Sequence, residues 1–363
     1  MRIAIVAPLV TPIREPYLGG TQSFVADLAI GLKARRHDVH VYAAAGSEIP
    51  GVPVIDTGID PATLSGSLYR AGAPAAVDAW PAEAAFARVY AAAREASYDL
   101  VHNHAFDAPA ITQAGALEVP VVHTLHLPPD PSVVVALQEV RRFDRQPTVA
   151  AVSTSQARAW RAQTQVDVVL PDGVPTARIP WSPSPGFGAL FAGRLSPEKG
   201  AAEAIDIAVA AGVRIDLYGD PYDRGYAEDH VYPRSGAPGV AVHAGVGRTV
   251  LWQLMARASV VLCPAKWEEP FGLVAAEAQA AGTPVVAFRR GGLREVVVDG
   301  LTGFLVALDN IAAAADAVWR TAGIARSACR RHAETRLDLE YTLDAHERLY
   351  RGVTHSVEAP ADA

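Results

Sequence analysis

The stretch "SVVLCPAKWEEPFGLVAAEAQAAGTPVVAF" (residues 259–288) contains the alternation that decides the fold. Two short apolar runs, SVVLCP and TPVVAF, lie on either side of an alanine-rich segment from Gly272 to Ala281. The β-branched runs predict buried strands, and the longer segment between them predicts a helix. Apolar strands separated by helices are typical of parallel sheets that are covered on both faces. The stretch therefore predicts an α/β protein.

The same alternation runs along the chain and is interrupted near its middle. Strands are predicted at RIAIVAP, DVHVYAA, DLVHNH, VPVVHTLH, TVAAVS and VDVVLP in the first half, and at GALFAG, VRIDLYG, GVAVHAG, SVVLCP and TPVVAF in the second. The segment 171–188 carries five prolines and three glycines, which indicates an interdomain linker. We therefore expect two Rossmann-like, doubly wound domains, with a ligand between them at the carboxyl ends of the strands.

These features predict the domain boundaries. The first domain is expected at residues 1–180 and the second at 186–325, followed by a helical segment at 326–351. Residues 352–363 are expected to form a disordered tail. The first helix is expected to begin with Thr21 as its N-cap, because a stripe of apolar residues at helical spacing follows it.

Composition limits the classes of partner and compartment. The 363 residues carry a formal net charge of −7 and no long basic run, which argues against nucleic acid as the main partner. Only two cysteines occur, Cys263 and Cys329, so a disulfide scaffold is excluded and a reduced, cytoplasmic location is expected. The first residues, MRIAIVAPLV, could mimic a signal peptide, but the shortness of the run favours a buried strand. No apolar run approaches the ~20 residues of a transmembrane segment.

Glu277 is a carboxylate on an otherwise apolar helix face. Leu273, Val274, Ala280 and Ala281 lie three or four positions away and share that face. A buried glutamate needs a partner, because an unpaired buried charge is costly. Two partners fit: ribose hydroxyls of a bound nucleotide, as acidic residues bind them in dinucleotide folds, or an arginine or lysine of the core.

Two glycine-containing loops are candidate phosphate sites. In "GRLSPEKG" (193–200), Ser196 and Pro197 fit the N-cap and first position of a helix, so Arg194 and Lys199 would lie beside a helix N-terminus. Two cations at such a terminus suit a diphosphate, although solvated surface charges on a capped helix are an equally good interpretation. The loop "YLGGTQ" (17–22) is weaker, and its Gly19 and Gly20 would allow close backbone approach to phosphate.

Four histidines follow two predicted strands. His102 and His104 occur in VHNH, and His123 and His126 in HTLH. Residues two apart on a strand point to the same face, so His102 and His104 could ligate a metal. The favoured interpretation is that one of this pair is a core histidine and the other faces the cleft, because no supporting metal-ligand motif is present.

With these residues assembled, the chain resembles the GT-B glycosyltransferases of the large retaining family 4. The motifs appear in the family's order and cover nearly the whole chain: GGTQSFVADLAIGLKARRHDVHV, VHNHAFD, HTLH, FAGRLSPEKG, YGD, EPFGLVAAEAQAAGTPVVA and GGLREVVVDGLTGFLV. The Glu-x7-Glu spacing of Glu269 and Glu277, with Arg194 and Lys199 upstream, is the most specific part. Arg36 and Asp172 depart from the family pattern, which has glycine and asparagine there.

The resemblance implies roles for the catalytic residues. Arg194 and Lys199 would bind the diphosphate of a nucleoside diphosphate sugar and stabilise it as the leaving group. Glu269 would hold sugar hydroxyls, and His126 would lie near the reacting centre. Glu277 would bind the ribose.

The resemblance also implies backbone contacts to the donor. Gly19 and Gly20 would approach the diphosphate, and Gly245 and Val246 would border the base. The amides of Phe271, Gly272 and Leu273 would contact the sugar, beside Glu269. The C-terminal helix would cross back onto the first domain.

The resemblance implies a hexosyl transfer with retained configuration and no covalent intermediate, in which the leaving phosphate helps to deprotonate the acceptor. The expected substrates are a nucleotide sugar, with uridine as the expected base, and a small-molecule hydroxyl acceptor such as a natural-product aglycone or sugar intermediate. No metal ion and no other cofactor are expected, because the chain has no Asp-x-Asp motif. The sequence is compatible with a homodimer and does not decide between a monomer and a dimer. The alternatives are a GT-B epimerase or phosphorylase, and a non-catalytic nucleotide-sugar binding protein.

Overall fold

Two parallel sheets organise the chain, and each belongs to its own unit. The structure is a computed structural model that describes residues 1–67, 80–143, 146–184 and 186–358. Unit 1 comprises residues 1–14, 20–171 and the described residues from 339 onward, and unit 2 comprises residues 15–19 and 172–338.

The sheet of unit 1 has the order β3-β2-β1-β4-β5-β6-β7, and its strands pair in parallel. The strands are β1 (Arg2–Val6), β2 (Asp38–Ala43), β3 (Val54–Asp56), β4 (Leu100–Asn103), β5 (Val121–Leu125), β6 (Thr148–Ala151) and β7 (Val168–Val169). The helices are α1 (Gly20–Ala34), α2 (Trp80–Glu95), α3 (Ala108–Thr112), α4 (Pro131–Val140) and α5 (Thr154–Arg161). Strand order reverses between β1 and β4, which is the switch point of a doubly wound sheet.

Unit 2 repeats this architecture with the order β10-β9-β8-β11-β12-β13, again in parallel. Its strands are β8 (Ala189–Ala192), β9 (Ile215–Tyr218), β10 (Val240–His243), β11 (Val260–Cys263), β12 (Val285–Phe288) and β13 (Gly303–Val306). Its helices are α6 (Ala201–Ala211), α7 (Arg224–Tyr226), α8 (Arg248–Arg257), α9 (Leu273–Ala280), α10 (Leu293–Val296), α11 (Ile311–Arg320) and α12 (Arg326–His332). The switch point lies between β8 and β11.

The apolar strands form the centre of each unit, as their sequences predict. The residues of β1 from Ile3 to Val6 are fully buried. Those of β12 from Val285 to Phe288 are at most 1% exposed. The predicted α/β class with two doubly wound sheets is confirmed. Among the described residues, no helix combines the length and the apolar character that crossing a membrane would need.

The change from unit 1 to unit 2 comes earlier than the predicted boundaries of 180 and 186. Residues from Asp172 onward belong to unit 2, and so do residues 326–338, which the sequence assigned to the C-terminal helix. Arg326 explains both differences, because its guanidinium donates to the carbonyl oxygens of Ser182, Ala256 and Ala258 at 2.7–2.8 Å. These bonds attach the proline-rich segment and the start of α12 to the same unit.

The expected single helix at 326–351 is divided. After α12 comes a π-helical turn at Ala333–Leu337, and then Asp338 adopts an extended conformation. Asp338 forms a β-bridge with Val174 and accepts a hydrogen bond from the hydroxyl of Thr176, which lies 162 residues earlier in the chain. These contacts end the helical run. The last helix, α13, therefore starts at Leu339.

Helix α13 (Leu339–Glu358) belongs to unit 1 and packs on α1. A Cβ added at Gly31 of α1 would lie only 2.6 Å from Cδ1 of Leu343, so a larger residue at this position would displace the Leu343 side chain. Arg35 adds ion pairs to Glu340 and Asp344. The predicted disordered tail is wrong for residues 352–358, which continue the helix, and its last five residues lie outside the described part of the chain.

Candidate active site

The carboxyl ends of β8 and β11 position the predicted phosphate-binding cations. After β8 the chain reaches Arg194 and then a 3-10 turn at Pro197–Lys199. Helix α6 starts only at Ala201, after Gly200, which has a φ of +73° and whose added Cβ would lie 2.1 Å from the Pro264 carbonyl oxygen. Gly200 therefore separates Lys199 from the first residue of the α-helix. Ser196 and Pro197 occupy the predicted N-cap and first positions, but of the 3-10 turn and not of α6. The Ser196 hydroxyl caps no backbone amide and donates to Glu198 Oε1 at 2.7 Å.

Arg194 and Lys199 both have carboxylate partners, so the alternative of freely solvated charges does not hold. Arg194 Nη2 lies 3.0 Å from Glu198 Oε1, and its guanidinium stacks over the Tyr222 ring. Lys199 Nζ donates to both Glu269 oxygens, at 2.9 and 2.8 Å. The side chains remain 16% and 25% exposed, which leaves both cations within reach of an incoming anion.

Glu269 lies between Lys199 and the N-terminus of α9. The Trp267 indole N–H also donates to Glu269 Oε2, and the Lys199 ammonium lies 4.7 Å from the centre of the Trp267 ring. Helix α9 follows Gly272, whose φ of +110° suits glycine and which has no side chain to cap the first amides. Lys199, Glu269 and the predicted amide donors thus converge on one end of the sheet.

Glu277 pairs with an arginine of the core. Its Oε1 accepts a hydrogen bond from Arg248 Nε at 2.8 Å, and the two side chains are only 6% and 8% exposed. Of the two partners that the sequence left open, the structure shows the arginine. The ribose role of Glu277 stays a prediction.

Arg248 is the first residue of α8, and only Gly247 separates it from the predicted base-binding residues Gly245 and Val246. The Gly245 amide donates to Asp220 Oδ1 at 3.0 Å, which holds the loop. The Arg248 amide donates to Glu15 Oε2 at 3.0 Å, and Glu15 precedes the Gly19-Gly20 loop. Sequence reasoning missed Arg248, Asp220 and Trp267. The signal for Arg248 was its place beside the predicted base loop.

The remaining predicted site residues, Gly19, Gly20 and His126, are divided between the two units. Gly19 belongs to unit 2, whereas Gly20 and His126 belong to unit 1. Helix α1 starts at Gly20 and not after a Thr21 N-cap, so that prediction is wrong.

His126 belongs to a buried histidine cluster, which we define as His102, His104, His126 and His346. His104 Nδ1 and His126 Nε2 lie 2.9 Å apart, and the rings of His102 and His104 are 4.0 Å apart. His346 of α13 was not anticipated, because it comes from the far end of the chain. Burial, with a contribution from His346, lowers the pKa of His126 to about 3.

The structure does not support metal binding by these histidines. Both nitrogens of His102 are engaged, Nδ1 by the Tyr350 hydroxyl at 2.6 Å and Nε2 by Thr124 Oγ1 at 2.7 Å. Within the described ranges, no three or more histidine, cysteine, aspartate or glutamate residues are grouped so as to hold a metal ion. The expectation that one of His102 and His104 is exposed to a cleft is also wrong, since both are fully buried.

Two family models divide the chain between them. The model described as Glycosyltransferase Family 4 matches residues 18–178, and the model described as Glycosyl transferases group 1 matches residues 182–321. A D-inositol 3-phosphate glycosyltransferase of Streptomyces scabiei is 30% identical over 361 residues, which cover 84% of this chain and 79% of the relative. A phosphatidyl-myo-inositol mannosyltransferase of Mycobacterium leprae is 30% identical over 341 residues, covering 88% and 86%.

The solved structures agree on the fold. Anabaena HepE, crystallised with UDP and glucose, superposes with a TM-score of 0.75 over 96% of this chain and 99% of its own, at 22% identity. The sheet orders, the residues at the switch point of unit 2 and these relatives lead to one assignment. The chain belongs to glycosyltransferase family 4 and has the GT-B fold.

Proposed function

We propose that the protein transfers a hexosyl group from a nucleoside diphosphate sugar, with uridine as the base, to a hydroxyl of a small acceptor, and that the anomeric configuration is retained. The observation that carries the proposal is the convergence of Lys199, Glu269 and the start of α9 at the switch point of unit 2. Ligands of doubly wound sheets bind at such points.

Arg194 and Lys199 bind the diphosphate in this proposal. The bond between the anomeric carbon and the diphosphate oxygen breaks, and its electron pair goes to the diphosphate. Preorganised cations stabilise that charge without rearranging during the reaction. Arg194 binds the diphosphate beside its partner Glu198, whereas Lys199 exchanges Glu269 for the diphosphate. The released Glu269 carboxylate then turns toward the sugar hydroxyls.

The acceptor oxygen forms the new bond on the same face that the diphosphate leaves. Its proton passes to an oxygen of the departing phosphate, so no protein nucleophile is consumed. His126 is neutral at physiological pH, since burial lowers its pKa to about 3. It therefore acts as a hydrogen-bonding group beside the sugar and not as a cation. No metal ion and no other cofactor take part.

The two relatives above are named for inositol-containing acceptors. We therefore propose a small polyol as the acceptor, with inositol 3-phosphate as the first compound to test. We also propose that the protein is located in the cytoplasm.

The experiment has two stages. A thermal-shift panel of UDP-glucose, UDP-galactose, UDP-N-acetylglucosamine and GDP-mannose identifies the donor, because a ligand at 100 times its Kd stabilises the native state by about 2.7 kcal/mol. The stabilising donor is then incubated with and without acceptor, and the products are examined by NMR. Glycosylated acceptor with the donor's anomeric configuration supports the proposal. Epimerised nucleotide sugar formed without acceptor would identify an epimerase, and binding without any product would identify a binding protein.

A further inference from the structure

Arg248, in unit 2, has no role in the proposed transfer reaction. Its Nε lies 2.8 Å from Glu277 Oε1, and both side chains are more than nine-tenths buried. The neighbours of Glu277 on its own helix face, such as Leu273 and Ala281, are apolar and offer no side-chain hydrogen bond. The orientation of the carboxylate therefore depends on Arg248.

Arg248 is itself held at both ends. Its amide donates to Glu15 Oε2, and its guanidinium lies over the ring of Trp252, one turn later on α8, at 4.8 Å. A guanidinium fixed between an aromatic face and a carboxylate is a rigid donor, whereas an ammonium on a flexible stem is not. The arrangement restrains which way the remaining lone pairs of Glu277 point.

We propose that Arg248 is a positioning residue that orients Glu277 so that its carboxylate accepts the ribose hydroxyls of the nucleotide. The inference rests on the proposed function, because it assigns a partner to the predicted ribose ligand. It makes Arg248 a determinant of the preference for ribonucleotides over 2′-deoxyribonucleotides. Arg248 does not touch the diphosphate in this account.

The test measures binding of UDP, dUDP and inorganic pyrophosphate by calorimetry, with GDP and dGDP in parallel. The parent is expected to prefer the ribonucleotide over its deoxy counterpart by about tenfold or more, which is the scale of one hydrogen bond to a charged group. Arg248→Met is expected to reduce the preference to about twofold or less, while pyrophosphate affinity stays within about twofold. Arg248→Lys, which keeps a charge beside Glu277 and so protects the fold, is expected to lie between the two.

Arg234 supplies the matched control. Its Nε lies 2.9 Å from Asp206 Oδ1, nearly the same geometry as in the Arg248 pair, but on the surface of unit 2 with 36% and 41% exposure. Arg234→Met should leave the ribose preference unchanged.

The outcomes separate the two proposals. A parent protein that binds neither UDP nor GDP would overturn the proposed function itself. A parent that binds and prefers the ribonucleotide, with a folded Arg248→Met or Arg248→Lys variant that keeps the parent's full preference, would overturn only the positioning role. Loss of pyrophosphate affinity in step with nucleotide affinity would also overturn it, since that pattern reports general damage.

Discussion

The histidine cluster of unit 1 and the Arg248–Glu277 pair of unit 2 bury polar side chains in opposite ways. The interior of unit 1 holds neutral histidines: burial lowers the pKa of His123 and His126 to about 3 and that of His346 to about 4, and the pKa values of His102 and His104 lie well below the ordinary value. Unit 2 buries an ion pair, that of Arg248 with Glu277. Protonation of a neutral buried group lowers the free energy of unfolding. A buried ion pair instead destabilises the fold when one partner is removed. The two units should therefore respond to different perturbations.

Removing one member of the buried pair should have the largest effect. Glu277→Ala leaves the Arg248 guanidinium without its carboxylate, and breaking a buried ion pair in this way costs about 3–5 kcal/mol of unfolding free energy. Alanine suits the apolar helix face, but it cannot replace the carboxylate that Arg248 needs. Chemical denaturation measures the loss, and nucleotide affinity should fall as well by about 2 kcal/mol, or roughly 30-fold.

Asp206→Ala is the matched control for this prediction, because it removes the carboxylate of an exposed arginine pair. We expect it to change the unfolding free energy by less than about 1 kcal/mol. The double variant Glu277→Ala/Arg248→Met should recover part of the lost stability. Equal losses for Glu277→Ala and Asp206→Ala would show that burial of the pair does not matter.

Mild acid should lower the free energy of unfolding through the buried histidines of unit 1. In the unfolded chain these histidines have pKa values near 6.5, so between that pH and the lowered folded values the unfolded state binds protons that the folded state does not. Stability is therefore complete above pH 6.5 and falls as the pH decreases, by up to about 1.4 kcal/mol per histidine per pH unit. At pH 5.5 the loss from His123, His126 and His346 should be about 4 kcal/mol. Urea unfolding at pH 7.5 and 5.5 measures it.

A substitution in the histidine cluster tests this pH dependence. His346→Gln should reduce the dependence of unfolding free energy on pH, because it removes one titrating group from the histidine cluster. Arg234→Met should leave the dependence as it is, since the arginine it removes stays protonated throughout this pH range. A parent protein equally stable at both pH values would contradict the neutral-histidine description of unit 1.

Charge removal at the mouth of the site should affect transfer more than stability. Arg194→Ala and Lys199→Ala are each expected to lower the transfer rate about a hundredfold, the effect of deleting one preorganised charge stabiliser. Affinity for the nucleoside diphosphate should fall more than affinity for the free nucleoside, which calorimetry can compare. If both ligands weaken equally, these cations do not contact the diphosphate.

Chelation should have the smallest effect, because the proposed charge stabilisers are side chains and helix amides. Transfer is expected to be unchanged after EDTA treatment and after addition of Mg²⁺ or Mn²⁺. Activity that disappears with EDTA and returns with stoichiometric metal would transfer the charge-stabilising role to an ion.

The sequence predicted what depends on local pattern. Apolar runs such as Val260–Cys263 become strands because burial on both faces of a parallel sheet requires it. The positions of Arg194, Lys199 and Glu269 near one sheet edge followed from the strands that precede them.

What the sequence did not predict depends on contacts between distant residues. Arg248 and Glu277 are 29 residues apart, and nothing local to either one selects the other. The α13 boundary is set at Asp338 by its contact with Thr176, and His346 joins His102 only through the packing of α13. The start of α6 moved because Gly200 turns in the left-handed conformation, which a helix pattern in the sequence does not reveal.

In the proposed function, unit 2 binds the nucleotide through the segments that follow β8, β10 and β11. Amide hydrogen exchange with and without saturating UDP, or with GDP if that binds more tightly, tests it most directly. New protection is expected in residues 193–200, 245–248 and 269–277. Binding accompanied by unchanged exchange in all three segments, with protection confined to unit 1, would contradict it.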